Sequence, residues 1–141
     1  MKKKGSLANA LAKYKDINAS VRVGVLEDAT YPDGTNVAQV AFWNEYGTAT
    51  TPSRPFFRYT VNENRKNWVL SVKNLMKMHN DPQKVMGLMG EHIKGQIVQS
   101  IVTWSDPPNA PYTVAKKGFN DPLIDSAQMS RSISWELGSD E

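Results

Sequence analysis

Between Val85 and Ile101, apolar residues recur every four positions: Val85, Met89, Ile93, Ile97 and Ile101, with Met86, Gly90 and Val98 beside them. That period predicts a helix. Asp81-Pro82 predicts its start, with aspartate as N-cap and proline at the first helical position. A helix over residues 82–102 is about 30 Å long at 1.5 Å per residue. Gly87, Gly90 and Gly95 lie inside it and each lowers helix propensity. They predict places where another backbone comes close. A second pattern closes the chain. Ser132-Ile133-Ser134-Trp135-Glu136-Leu137 alternates polar and apolar, which predicts a strand with Ile133, Trp135 and Leu137 inward. Residues 21–26 (Val-Arg-Val-Gly-Val-Leu) predict its partner, with Val21, Val23 and Val25 on one face. Gly24 on the other face leaves room for a close neighbour.

Weaker patterns fill the rest. Leu7, Leu11 and Tyr14 predict a short helix over residues 6–15, with Ser6 as its cap. Tyr31-Pro32-Asp33-Gly34 predicts a turn. A helix follows, capped by Thr35 or Asn36, carrying Val37, Val40, Ala41 and Asn44, and stopped by Gly47. Residues 48–53 read as a polar loop. Ser53-Arg54-Pro55 predicts the next helix start, with Ser53 near the cap and Pro55 in the first turn. Phe57, Val61, Trp68, Val72, Leu75 and Met76 predict helix up to Met78. Asn62, Asn64 and Asn67 weaken it and predict a break near residues 62–66. Residues 105–123 hold four prolines and form a long irregular connection, which in a small domain is either functional or ordered by a partner.

The sum is α+β: a small, mostly antiparallel sheet with two long helices packed on one face. Two strands are few for a stable sheet. Either a further strand exists or a neighbouring molecule completes the sheet. At 141 residues, one domain is expected, with residues 1–5 a basic tail and 138–141 a polar end. Such a chain buries roughly 68% of its unfolded surface, enough for a core of its own.

Charge and chemistry narrow the function. The net charge is +3, from 17 basic and 14 acidic residues. Lys2, Lys3 and Lys4 account for that excess, as a solvated tail or a phosphate-binding arm. The absence of cysteine excludes disulfide scaffolds, thiolate zinc sites and cysteine nucleophiles. No apolar run reaches the roughly 18 residues that span a bilayer, and the start does not read as an export signal, so synthesis in the cytoplasm is expected. His79 and His92 lie 13 residues apart without carboxylate or histidine partners at ligand spacing, so capping and surface packing explain them better than metal or base chemistry. Nucleophile-elbow, Walker and dinucleotide motifs are missing. The expectation is a non-enzyme that needs no cofactor and no metal. Most aromatics, Trp43, Tyr46, Phe56, Phe57, Trp68, Trp104 and Trp135 among them, read as core. Tyr112 and Phe119 lie in the proline-rich loop beside Lys116 and Lys117. They either anchor a partner or fold back onto the domain.

Two stretches, in this order, resemble a known family. The first is Val37-Ala38-Gln39-Val40-Ala41-Phe42-Trp43-Asn44-Glu45-Tyr46-Gly47-Thr48, then Pro52-Ser53-Arg54-Pro55-Phe56-Phe57-Arg58. The second is Pro122-Leu123-Ile124-Asp125-Ser126-Ala127-Gln128-Met129-Ser130-Arg131-Ser132-Ile133-Ser134-Trp135. They are similar to the signatures of tailed-bacteriophage tail-completion and head–tail joining (neck) proteins. Ser126 and Ala127 stand where that family has threonine and glycine. The resemblance covers about residues 20–137. It implies a virion structural protein of the tail or neck that acts late in assembly. The protein would be a tail terminator forming a cyclic homo-oligomer, a hexameric ring, against the tail tube and the head–tail connector. DNA meets it only as the passing genome, and no membrane is involved. The alternatives are a head-completion or adaptor protein on the portal side, and a small nucleic-acid-binding protein using Lys2–Lys4 and Lys116-Lys117. An unrecognised hydrolase is the remaining reading.

The motif residues have a physical reading as well. Asn44, Glu45, Tyr46 and Gly47 end one helix, and Arg54, Pro55, Phe56 and Phe57 begin the next. Arg54, fixed between Ser53 and Pro55, is expected to grip a carboxylate such as Glu45, within the subunit or across a ring interface. Phe56 and Phe57, adjacent on a helix, point in different directions and serve two contacts.

Overall fold

The computed structural model describes residues 18–25, 29–104 and 128–138. Strand β1 (Val21–Val25) is followed by helices α1 (Val37–Tyr46), α2 (Phe56–Met78) and α3 (Pro82–Thr103), a four-residue helix α4 (Gln128–Arg131), and strand β2 (Ile133–Leu137). The first and last elements pair antiparallel, with Val21 opposite Leu137, Val23 opposite Trp135 and Val25 opposite Ile133. Among the described residues the sheet has these two strands. The class is α+β, as the patterning predicts. The expected helix over residues 6–15, residue 26 of the first strand and the 105–123 connection lie outside the described residues.

Helix α3 organises the domain. It packs against both strands, against α2 and against α4. Its four-residue stripe does what the spacing predicts: Val85, Met89, Ile97 and Ile101 are buried and Ile93 is half-buried. Asp81 caps it, its carboxylate accepting from the Gln83 and Lys84 amides at 3.1 and 3.3 Å. Ile97 and Ile101 join Val37, Phe56, Met129 and Ile133 in the main core, so every described helix and β2 contribute to one cluster.

Towards the N-terminal half of α3, the sheet comes closer. A Cβ on Gly90 would stand 2.8 Å from Trp135 Cδ2 and 2.8 Å from Val21 Cγ2, and one on Gly87 would stand 3.4 Å from the same indole. The two missing side chains are the seat of Trp135. Its indole N–H then donates to Glu91 Oε2 at 2.6 Å. Gly95 does not share that role, since a Cβ there meets nothing within 4 Å.

Three expectations need correction. Helix α2 is unbroken through residues 62–66. Asn64 is wired inward instead. Its amide donates to the Thr60 carbonyl at 2.8 Å and its oxygen accepts from Gln96 of α3 at 2.9 Å. Gln96 in turn accepts the Trp68 indole N–H at 2.6 Å. The bond from Gln96 thus offsets the poor propensity of Asn64, while Asn62 and Asn67 lie exposed on an unbroken helix. Leu137 is not inward but 40% exposed, at the end of β2 opposite Val21. The aromatics are also less buried than expected: Phe56 alone of those singled out is fully inside, and Trp43 and Tyr46 are exposed. Helix α1 touches the core with Val37 and Ala41, which leaves its opposite face in solvent.

Gly90→Ala should lower stability by about 1–3 kcal/mol, because the indole and Val21 must move to admit a methyl group. Gly95→Ala should leave it unchanged or raise it by up to about 1 kcal/mol. Chemical denaturation of the two variants reads both values. Equal effects would show that Gly90 is not the seat of Trp135.

Candidate functional site at the corner between α1 and α2

Helix α1 starts under a compact turn. The Gly34 amide donates to the Tyr31 carbonyl at 2.8 Å, with Gly34 at φ 88°, and Asn36 caps the helix by accepting from the Gln39 amide at 3.2 Å. The helix ends at Gly47, whose φ of 78° lies in the region glycine favours. A Cβ there would come within 2.9 Å of the Ser53 nitrogen and 3.0 Å of the Thr51 carbonyl oxygen. The chain then doubles back through a loop that bonds to itself. The Thr48 amide donates to the Thr51 carbonyl, and the Thr48 hydroxyl accepts from the Thr50 and Thr51 amides. This loop brings residue 54 back alongside residue 44: the Arg54 amide donates to the Asn44 carbonyl at 2.6 Å.

The start of α2 poses a specific problem. Its N-cap is Pro55, which has no capping side chain, and the first helical amides need acceptors. Glu45 supplies them from the end of α1. Its Oε2 accepts from the Phe57 amide and its Oε1 from the Arg58 amide, both at 2.9 Å. The Phe56 amide donates to the Arg54 carbonyl at 2.8 Å, and proline brings no fourth donor. The helix N-terminus is thereby fully satisfied. The negative carboxylate also sits at the positive end of the helix dipole. Glu45 is 6% exposed, so this is a buried acceptor with a complete set of partners.

Two expectations change here. Ser53 does not cap α2. Its hydroxyl donates to the Glu45 carbonyl at 2.7 Å, and Pro55 stands outside the first turn as N-cap. The cation on Glu45 is Arg58, not Arg54. Arg58 Nε donates to Glu45 Oε1 at 2.9 Å, Nη2 donates to the Glu45 backbone carbonyl at 2.8 Å, and the guanidinium lies 4.5 Å from the centre of the Tyr46 ring. In a helix, side chains lean back towards the N-terminus, so a residue in the first turn of α2 reaches Glu45 where one before the helix does not. Arg54 is itself buried, 6% exposed, and burial pulls its guanidinium below the usual range.

The remaining motif residues fall into place. Asn44 donates its side-chain amide to the Val40 carbonyl at 3.0 Å. Phe56 enters the main core, while Phe57 meets it edge-on, with ring centres 6.5 Å apart, and covers Gly24 of β1. The two rings do point in different directions. Tyr46 pairs with Phe42 at 4.8 Å between centres, and both are 56% exposed. Together with Val25, Ala41, Phe57 and Ile133, they line an open groove of about 300 Å³. Tyr112, Lys116, Lys117 and Phe119 lie outside the described residues.

Arg58 and Phe42 carry contacts that sequence reasoning did not single out. The available signal for Arg58 was its place two residues inside a helix that starts with proline and no side-chain cap. Phe42 had one at i−4 from Tyr46, the spacing at which helical side chains meet. A second groove, of about 640 Å³, runs between α2 and α3 past Tyr59, Asn64, Gln96 and Trp104, and its amides are bonded to one another. Among the described residues no cluster of three or more His, Asp or Glu is placed to hold a metal, and no helix is long and apolar enough to cross a membrane.

The arrangement is structural in its chemistry: a charge-assisted, buried joint that fixes one helix on another, beside an exposed aromatic ridge. Compared with protein-family models, curated proteins and solved structures, the chain matches none.

Glu45→Ala should cost about 3 kcal/mol, because it strips acceptors from two backbone amides and takes the carboxylate from Arg58 Nε. Arg58→Ala should cost about 1 kcal/mol, since its side chain is half exposed. Thermal unfolding separates them. If Arg58→Ala costs as much as Glu45→Ala, the ion pair and not the helix cap is the main element of the joint.

Proposed function

We propose that the chain is a non-enzymatic bacteriophage virion protein that completes the tail as a ring at the head–tail junction. One observation supports this reading above the others. The stretches at residues 44–47 and 54–58, which resemble the tail-completion and neck family, form a single hydrogen-bonded joint around Glu45. Glu45, Ser53 and Arg58 hold the corner while Phe56 ties it to the core, an arrangement that suits a protein working by shape. Next to the joint, Phe42, Trp43 and Tyr46 are exposed on α1. Aromatic side chains with open faces are favoured contact residues between subunits. In this reading the rigid corner presents that ridge to a neighbouring subunit, the tail tube or the connector. The protein resides in the virion.

Electron microscopy of particles made without this protein tests the proposal. Filled heads and separate tails should accumulate. Joined, infectious particles would overturn it. For the ring, sedimentation of the full chain with tail components should give one discrete large species. Phe42→Ser with Trp43→Ser should abolish that species while changing subunit stability by less than about 0.5 kcal/mol each, the size expected for exposed positions. Ring formation undiminished by both changes would remove the ridge from the interface.

A further inference from the structure

We propose that the outward face of α2 is a binding surface for the phosphate backbone of duplex DNA. The helix holds five basic residues (Arg58, Arg65, Lys66, Lys73 and Lys77) and one acid, Glu63. Arg58 is matched by Glu45 of α1, and the remaining surplus of three positive charges equals the +3 of the whole chain. The charge excess therefore does not reside in Lys2–Lys4 alone, as composition suggests, but on one long helix.

The placement is ordered. At 100° per residue, Asn62, Lys66, Lys73 and Lys77 fall in one row, opposite the half-buried stripe of Val61, Asn64, Trp68 and Leu75. All four are exposed, and among the described residues none of the three lysines forms an ion pair. Glu63, one turn before Lys66, pairs with none of them. From Lys66 to Lys73 the axial rise is about 10 Å, and from Lys73 to Lys77 about 6 Å. The three lysines thus span about 16 Å of a rigid element. Duplex DNA carries one charge per roughly 1.7 Å of axis, so several phosphates lie within its reach.

The choice of nucleic acid over an acidic protein rests on the residue type. Lysine is depleted from the cores of protein–protein interfaces, where aromatic and arginine anchors dominate. The row itself carries no arginine and no aromatic, and the turn between Lys66 and Lys73 presents the exposed aliphatic side chains of Val69 and Leu70. Lysine and asparagine contacts to phosphate position a duplex without reading its sequence, so the binding is sequence-independent. The surface belongs to a single subunit and does not require the ring.

The test is fluorescence anisotropy of the full chain with a labelled duplex of about 30 base pairs, titrated between about 50 and 200 mM salt. Binding should weaken steeply with salt. Lys66→Gln, Lys73→Gln and Lys77→Gln together should lower the log–log slope by about 2.7, so that salt costs the variant about 40-fold less affinity over that range. Each single change should lower the slope by about 0.9, which keeps the outcome readable if the triple variant does not fold. Lys84→Gln with Lys94→Gln on α3 should leave the slope unchanged. No binding at the low-salt end overturns the proposal, as does a folded triple variant or single variants with the parent slope. Tighter binding of poly-glutamate than of DNA at equal charge overturns it in favour of an acidic protein partner. Each result is read on the free chain, apart from any effect on head–tail joining.

Discussion

The architecture depends on one buried carboxylate. Pro55 restricts the backbone at the start of α2, but it offers no side chain to receive the helix's first amides. Glu45, at the end of α1, receives two of them and one arm of Arg58. Its own backbone carbonyl accepts from Ser53 and from the other arm of Arg58. One residue therefore fixes the end of α1, the return of the loop and the start of α2. A charge buried this way is tolerated because every partner is present, and truncating the side chain strips acceptors from two amides and one guanidinium arm in the first turn of α2. Gly47 is the geometric condition for the joint. Only a residue without Cβ lets the loop close so near to Ser53 and Thr51.

A second constraint acts where the sheet meets α3. A two-stranded sheet is marginal on its own, and here it gains stability by lying on α3. Gly87 and Gly90 allow the indole of Trp135 to rest against the helix backbone, and Glu91 binds its N–H. The glycines cost helix propensity, yet α3 runs without interruption from Pro82 to Thr103. Packing of the apolar stripe outweighs the local penalty, as it does for most helices in folded proteins. The joint at Glu45 ties α1 to α2, and the seat of Trp135 ties β2 to α3. Each holds a different layer to α3 or to its neighbour.

Elements governed by local rules were legible in the sequence. Asp81-Pro82 marks the start of α3, Asn36 and Gly47 bound α1, and alternation marks both strands, because each signal is short-range and agrees with the packing. What depends on a side chain reaching across the fold was not legible. Arg54 looked like the partner of Glu45 because two prolines flank it. The structure gives that place to Arg58, since direction along a helix decides reach and spacing alone does not show it. Likewise Asn64 reads as a helix weakener, because its partner Gln96 on α3 is visible only in three dimensions. The exposure of Trp43 and Tyr46 escaped notice for a related reason. Residue type predicts burial on average, whereas α1 has a single face against the core.

Helix α2 brings these effects together. Its inner side is not purely apolar: Asn64, Gln96 and Trp68 form a chain of hydrogen bonds to α3. Such a chain is directional, so it sets the rotation of α2 about its own axis more sharply than apolar packing does. Glu45 sets where the helix begins. With start and rotation both fixed, the outer row of Asn62, Lys66, Lys73 and Lys77 points in one direction, and the ridge of Phe42, Trp43 and Tyr46 keeps a constant relation to it. A basic face and an aromatic face on separate helices, held by one joint, let a small chain meet two different neighbours at once. That property follows from polar bonds within the fold, and a helix pair held by oil-like contacts alone would not provide it.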